Sequence, residues 1–374
     1  MNNGTSEADD EFVKCVEFFH NATLSWLQNT DITIACGRWN DGAIAELMPQ
    51  GQGYLMPARY EDRFAGVREL RLNNAPHHLH IDFGRVSHIL YTVTPSICLG
   101  FKPSFEARLM TKDPQGRQSN QWIISFMLNK PYEQEKLCSG KIQKYFELAR
   151  QQAMQRPDLV KFHIDSSIFT SALGLELLEF LRIHTGIAAG DWPDIIRALS
   201  PASASPAGRQ HPITEPLCVP LLKQALLLRD ASLVIYRDRT LIEFKTDKLG
   251  GLYHYAEDNY DSWQIGAFDD HHCHLKLDAV ERVLFSAERV PCQGNGINYT
   301  IWFLTADTSG NPHRSDGYFS IVLNRPYSGN EPRLEVIEPL LSLYREFQHV
   351  GWVTAEPRFL EILQSEPPQR QSLP

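Results

Sequence analysis

The chain has 374 residues, of which 43% are hydrophobic and 22% charged, with a formal net charge of −9 and a pI near 5.9. That length exceeds one ordinary core and suits two domains, and the composition excludes wholesale disorder. No long basic run is present, so a sequence-independent grip on nucleic acid is disfavoured, because neutralising phosphates takes clustered Lys and Arg. The start, MNNGTSEADDEF, lacks the basic and apolar regions of a signal peptide, and no stretch reaches the roughly 18 apolar residues of a membrane helix. The 7 cysteines contain no CxxC pair, which argues against a secreted disulfide framework and a cysteine zinc site. These features predict a cytoplasmic protein without membrane insertion. No GxGxxG, Walker, GxSxG or HExxH signature supports nucleotide or serine-triad chemistry.

Residues 11–28 space Phe12, Val16, Phe19 and Leu27 on one helical face. ITIAC and AIAEL then flank Asn40-Asp41-Gly42, a hairpin turn in which Asp-Gly supplies positive φ. A bend at Gly51 and Gly53 leads into HHLHIDFGRVSHILYT from His77. Further antiparallel strands end at LNKPY from Leu128, where Pro stops the ladder, and a helix near 139–153 closes the unit. ALGLELLEFLRIHTG predicts a helix capped by Gly186. DWPDIIRAL predicts another, with Asp191 as N-cap and Pro193 in its first turn. SPASASPAGRQHP (200–212) reads as a linker. The series then recurs: a helix near 216–228, SLVIY and TLIEF, a bend at Gly250-Gly251, HHCHLKLDAVERVLFS from His271, LNRPY from Leu323, and a helix near 333–347.

The recurrence is a duplication. Ile81, Phe83, Val86, Ile89 and Tyr91 match Leu275, Leu277, Val280, Val283 and Phe285 at a constant offset of 194 residues. In the same register Thr111, Asp113 and Gly116 match Thr305, Asp307 and Gly310, and Cys98 matches Cys292. A period this long indicates duplicated domains, not a short-repeat solenoid. The expected fold class is α+β: two units, each a large antiparallel β-sheet with flanking helices. The first repeat is placed at 1–155, a helical insert and linker at 156–212, the second repeat at 213–364 and a disordered tail at 365–374.

Six of the 14 histidines fall in the two HHxH motifs. Strand alternation puts His78, His80 and Asp82 on one face and Leu79, Ile81 and Phe83 on the other. In the second copy His272, His274 and Lys276 oppose Cys273, Leu275 and Leu277. Three readings stay open: a covered or solvated sheet surface, a tetrapyrrole site, or an HxH metal site. Asp82 offers a third metal ligand in the first copy, but Lys276 takes its place in the second. Cys98 and Cys292 read as structural thiols, and Asp113 and Asp307 as turn formers.

The order of TLIEF, GGLYHY, HCHLKLDAVERVLFS and TIWFLTADTSG resembles the HemS/ChuX/HutX group of cytoplasmic heme-utilisation proteins, in its tandem, HemS-like arrangement. The resemblance implies heme as cofactor, held by histidine in a pocket with basic and aromatic residues, and a carrier role or participation in heme degradation. By position it implies His274, His272 and His254 as heme-binding residues, His78 and His80 as their first-copy equivalents, and His274 and His80 as the iron-ligating positions. Arg59, Arg63, Arg71 and Lys276 are implied as partners of the heme carboxylates. The first copy has Tyr54-Leu55-Met56 and no histidine in its bend, so the halves are not expected to bind equally. A non-catalytic scaffold, with Trp122, Trp263 and Trp302 exposed for a protein partner or a homodimer, is the alternative. An HxH metal-dependent enzyme is the second.

Overall fold

In the computed structural model of the chain, residues 7–29, 31–38, 43–48, 53–57, 66–72, 78–96, 99–112, 116–184, 195–197, 215–237, 240–257, 260–267, 271–289, 297–305, 317–329 and 331–364 are described. The first half runs α1 (Glu7–Asn29), β1 (Ile32–Arg38), β2 (Ala43–Leu47), β3 (Gly53–Pro57), β4 (Val67–Leu72), β5 (His78–Asp82), β6 (Val86–Pro95), β7 (Pro103–Lys112) and β8 (Gln118–Leu128). It continues with β9 (Tyr132–Glu133), β10 (Lys136–Leu137), α2 (Ser139–Gln155), β11 (Val160–Asp165), α3 (Ala172–His184) and β12 (Ile196–Arg197). The second half runs α4 (Val219–Ala225), β13 (Ala231–Arg237), β14 (Thr240–Lys245), β15 (Leu252–Glu257), β16 (Tyr260–Gly266), β17 (His272–Leu275), β18 (Arg282–Arg289), β19 (Ile297–Leu304) and β20 (Gly317–Leu323). It closes with β21 (Tyr327–Ser328), β22 (Glu331–Pro332), α5 (Leu334–Phe347), β23 (Val353–Ala355) and α6 (Pro357–Gln364). Among the described residues, apart from β12 and a one-turn helix at Thr246–Leu249 between β14 and β15, the halves repeat the same order of elements, and the fold class is α+β with large antiparallel sheets.

The chain divides into two compact units. Unit 1 takes Met1–Gly37, Glu46–Arg209 and Arg237–Leu241; unit 2 takes Arg38–Ala45, Gln210–Tyr236 and Ile242–Pro374. In unit 1 β1, β8, β7 and β6 pair antiparallel in that order, β11 adds to β6 in parallel, and β3, β4 and β5 form an antiparallel set. In unit 2 β13, β20, β19 and β18 pair antiparallel, β23 adds to β18 in parallel, and β15, β16 and β17 form the matching set. Of the short parallel strands, β11 (VKFHID) alternates apolar and polar residues, whereas β23 (VTA) is too short to carry a pattern. They exist because the preceding helix returns the chain to a strand edge with bonds still to make.

The helix expected at 11–28 is α1, with Val16, Phe19 and Leu27 buried and Phe12 at the rim, 39% exposed. The closing helices are α2 and α5, each close to its expected span. Near 216–228 only α4 is helical, opened by a Pro in its first turn. At Ile196–Arg197, expected within a helix, the chain instead forms β12, paired in parallel with β11. An open strand edge beside a β-branched residue outweighs a weak helix signal there. Asp191, Pro193, Gly186, the 200–212 linker, Cys98, Cys292, Asp113, Asp307, the Asn40-Asp41-Gly42 turn and the 365–374 tail lie outside the described residues.

Unit 1's core is organised by one buried polar chain. Trp26 Nε1 of α1 donates to the Tyr91 hydroxyl of β6 at 2.9 Å, and that hydroxyl donates to Gln152 Oε1 of α2 at 2.8 Å. Burial pushes the Tyr91 phenol far up, so it stays a neutral donor. Phe285 holds this place in unit 2, packed edge-on against Tyr344 at 5.2 Å. At the unit 1 end, α3 docks so closely that a Cβ on Gly174 would lie 1.7 Å from the Ile168 carbonyl oxygen. Tyr91→Phe leaves both the indole N–H and the carboxamide oxygen without this partner. It is expected to cost about 1–3 kcal/mol, read as a lower urea midpoint at unchanged m-value.

Candidate functional site

In an antiparallel pair, directly opposed residues put their side chains on the same face, so strand register decides which candidates meet. In unit 1 Arg71 is opposite His78, Glu69 is opposite His80, and Val67 is opposite Asp82. Tyr54 and Met56 extend the same face on β3. His78 and His80 are half-buried, with ring centroids 5.2 Å apart and edge to face, while Leu79 and Ile81 behind them are fully buried. His78 and His80 therefore share one face, with Arg71 at the register position opposite His78. Asp82 is engaged locally, because its Oδ1 accepts from the Gly84 backbone N–H at 3.0 Å and caps the turn Phe83–Arg85.

Unit 2 places its pair differently. Gly266 is opposite His272 and Gln264 is opposite His274. His272 and His274 are each 1% exposed, with rings 4.9 Å apart at 89°. The strand was expected to show one core face and one histidine face. Instead both of its faces are buried, and the histidine face is a polar layer that includes Ser262 and Gln264. Gln264 Nε2 donates to the Gly266 carbonyl at 3.0 Å. Gly266 has φ of 94°, and a Cβ there would meet the His271 carbonyl oxygen at 2.4 Å, so only glycine fits beside this pair.

His254 does not join them. It is opposite Trp263, which is opposite Leu275, so it lies on the reverse face of the same three strands. There its half-buried ring sits 4.9 Å from the Trp263 ring. Lys276, half-buried, directly follows β17. Arg59 and Arg63 lie outside the described residues, and of Arg71 the register position alone is described. Trp122, Trp263 and Trp302 are half-buried, and the Trp302 indole donates to Ser286 Oγ at 2.9 Å.

Glu69 and Gln264, the cross-strand neighbours of His80 and His274, were missed by the sequence reading. Their signal was present in the alternation of VRELRL and DSWQIG, but pairing them with a histidine takes a register that no motif states. Also missed was the Glu106–Arg108 ion pair of β7, for which the only sign was a difference from Thr300 and Trp302 at the same repeat positions.

No family model matches the sequence, and no curated protein matches it. Among solved structures the chain is similar to holo-PhuS, a heme-binding protein from Pseudomonas aeruginosa, at 10% identity and a TM-score of 0.41, over 86% of this chain and 83% of that one. It is also similar to ChuS, an E. coli heme oxygenase, at 9% identity and a TM-score of 0.43, over 86% of each chain. At these values the likeness does not bear on ligand, site or activity. Among the described residues no helix is long and apolar enough to cross a membrane.

Burial, and then the charge of His272, pushes the His274 pKa down to about 3. On β6, burial and then Lys161 push His88 down to about 4. Both imidazoles are neutral in the fold and take up protons on unfolding. Their contribution to stability is complete above the ordinary His value near 6.5 and is lost as pH falls from there toward the folded values. Urea midpoints are expected to fall steadily below about pH 6.5, by on the order of 1.4 kcal/mol per pH unit for each such imidazole. His274→Gln is expected to remove one proton from that slope; an unchanged slope would show that His274 is charged in the fold.

Proposed function

We propose that the chain is a cytoplasmic heme- or tetrapyrrole-binding protein, a carrier or a participant in heme utilisation or degradation, with an imidazole of unit 1 as the iron ligand. The HemS-like order of motifs supports the ligand class. The observation that carries the site is the half-buried His78–His80 pair on one face of β5, with Arg71 at the opposing register position. His80 is the better axial position: Arg71 stands beside His78, about 7 Å along the strand by the usual rise, which separates a carboxylate partner from the iron ligand. Arg59 and Arg63 are further candidates for the carboxylates, as is Lys276 in unit 2.

When bound, heme supplies a redox-active iron whose chemistry is largely its own. The chain's part is to offer a neutral imidazole nitrogen, an apolar floor and charge-assisted partners for the carboxylates. His272 and His274, at 1% exposure, are the interior counterparts of the His78–His80 pair in unit 2, with His274 at the corresponding ligand position. His254 beside Trp263 is the accessible imidazole of that unit, on the reverse face. In this reading the duplication has left two copies of one strand, one accessible to a ligand and one packed away.

Hemin titration followed in the Soret region tests the assignment. The wild-type protein is expected to give a saturable shift that His78→Ala/His80→Ala abolishes, while His254→Ala retains it. A shift lost in His254→Ala and kept in the double variant would move the ligand to unit 2. No saturable shift in any of these proteins would end the heme reading.

A further inference from the structure

On unit 1's main sheet the side of β7 turned away from Tyr91 carries a charged pair that the histidine reading does not use. Register puts Glu106 opposite Thr92, and Arg108 opposite Leu90 on β6 and Ser125 on β8. The Glu106 carboxylate, buried at 8% exposure, accepts from Arg108 Nε at 2.8 Å and from Ser125 Oγ at 2.9 Å. Burial works against its charge, yet Arg108 and the hydroxyls of Ser125 and Ser104 hold the carboxyl below its ordinary value. The Arg108 guanidinium lies 5.9 Å from the centre of the Trp122 ring, and its side chain is 25% exposed.

The second copy carries no charge at the two corresponding positions, Thr300 and Trp302. There Ser286 is opposite Thr300, and Trp302 is opposite Leu284 and Ser320. The Trp302 indole donates to Ser286 Oγ at 2.9 Å. Thr92, which stands where Ser286 does, is 1% exposed, and its Oγ1 has no hydrogen-bond partner among the described residues. The fold therefore does not require the ion pair, and a buried pair is a weak source of stability against an apolar replacement. Arg108 is held through Nε alone, and no hydrogen bond to a described residue uses its terminal nitrogens. An arginine fixed by a carboxylate on one side and an aromatic ring on another presents its remaining donors as a planar fork.

We propose that Arg108, oriented by Glu106 and backed by Trp122, is a recognition site for the carboxylate of an apolar molecule. The terminal nitrogens take the carboxylate oxygens side by side, and the apolar body lies on Leu90 and Trp122. A carboxylate fits better than a phosphate, because Glu106 already neutralises the guanidinium, so a monoanion leaves one negative charge to be met by the fork and solvent where a dianion leaves two. Two sources carry this chemistry, a fatty-acid-like molecule and the side chains of a tetrapyrrole. The inference goes beyond the heme reading and does not depend on it.

Binding to the full-length protein is measured with laurate by calorimetry, and with iron-free protoporphyrin IX and its dimethyl ester by fluorescence. At least one of the two acids is expected to bind wild type, to quench a Trp122 contribution that Trp122→Phe removes, and to lose tenfold or more in affinity in Arg108→Gln. The ester, with its charge capped, is expected to ignore that change. Arg108→Lys keeps the charge beside Glu106 and removes the planar fork. It is expected to weaken acid binding severalfold while leaving Tm near that of wild type, and it carries the test if Arg108→Gln fails to fold. Laurate binding without porphyrin binding would keep this site and assign it to the first source. Hemin binding that is indifferent to Arg108 would overturn this site and leave the heme reading standing. Equal binding of acid and ester to wild type, or no binding of either acid, would also overturn it.

Discussion

Direct opposition across antiparallel strands is the constraint on which the site geometry depends. A strand shows its side chains alternately to two faces, so a shift of one residue in the β4–β5 or β16–β17 register would move every histidine to the other side. The observed registers put Arg71 with His78 and Glu69 with His80, and Gln264 with His274 and Gly266 with His272. They also set His254 apart from the pair that it precedes by fewer than twenty residues. What the histidines can do follows from these neighbours more than from the HHxH motif itself.

The two copies show how one backbone supports opposite environments. Across from the pair, unit 1 carries Arg and Glu where unit 2 carries Gly and Gln. The exposure of the imidazoles follows suit, half-buried in unit 1 and 1% in unit 2. Desolvating a charge is costly without partners, and the glycine and uncharged amide beside His272 and His274 bring none to that layer. His274 is held neutral by that burial, which ties the acid sensitivity of unit 2 to the same substitutions that close its face.

Much of the architecture was legible because duplication repeats its own evidence. The constant offset aligned Phe83 with Leu277 and Tyr91 with Phe285, and the alternation of HLHID correctly put Leu79 and Ile81 inside. What was not legible is non-local. Whether His272 and His274 are covered depends on what packs over β17, and β-strand periodicity speaks only of alternation. His254 was grouped with them by closeness in the chain, whereas faces are assigned by register. β11 was missed although VKFHID alternates apolar and polar residues, and β23 because VTA is too short to carry a pattern; both take their place from the edges they join.

Thr92, Glu106 and Arg108 in unit 1 correspond in register to Ser286, Thr300 and Trp302 in unit 2. Trp302 satisfies Ser286 with one indole N–H and adds apolar area, so it completes the face at low desolvation cost. Arg108 satisfies Glu106, the charge set beside it, and does not reach Thr92 among the described contacts. A sheet that can be finished with an uncharged residue gains little stability from an ion pair that must be desolvated. The difference is better understood as recognition: the guanidinium is restrained on two sides, and restraint before binding lowers the entropy lost when a carboxylate arrives. The duplicated sheet thus keeps one copy closed by packing and gives the other a polar group that packing alone does not call for.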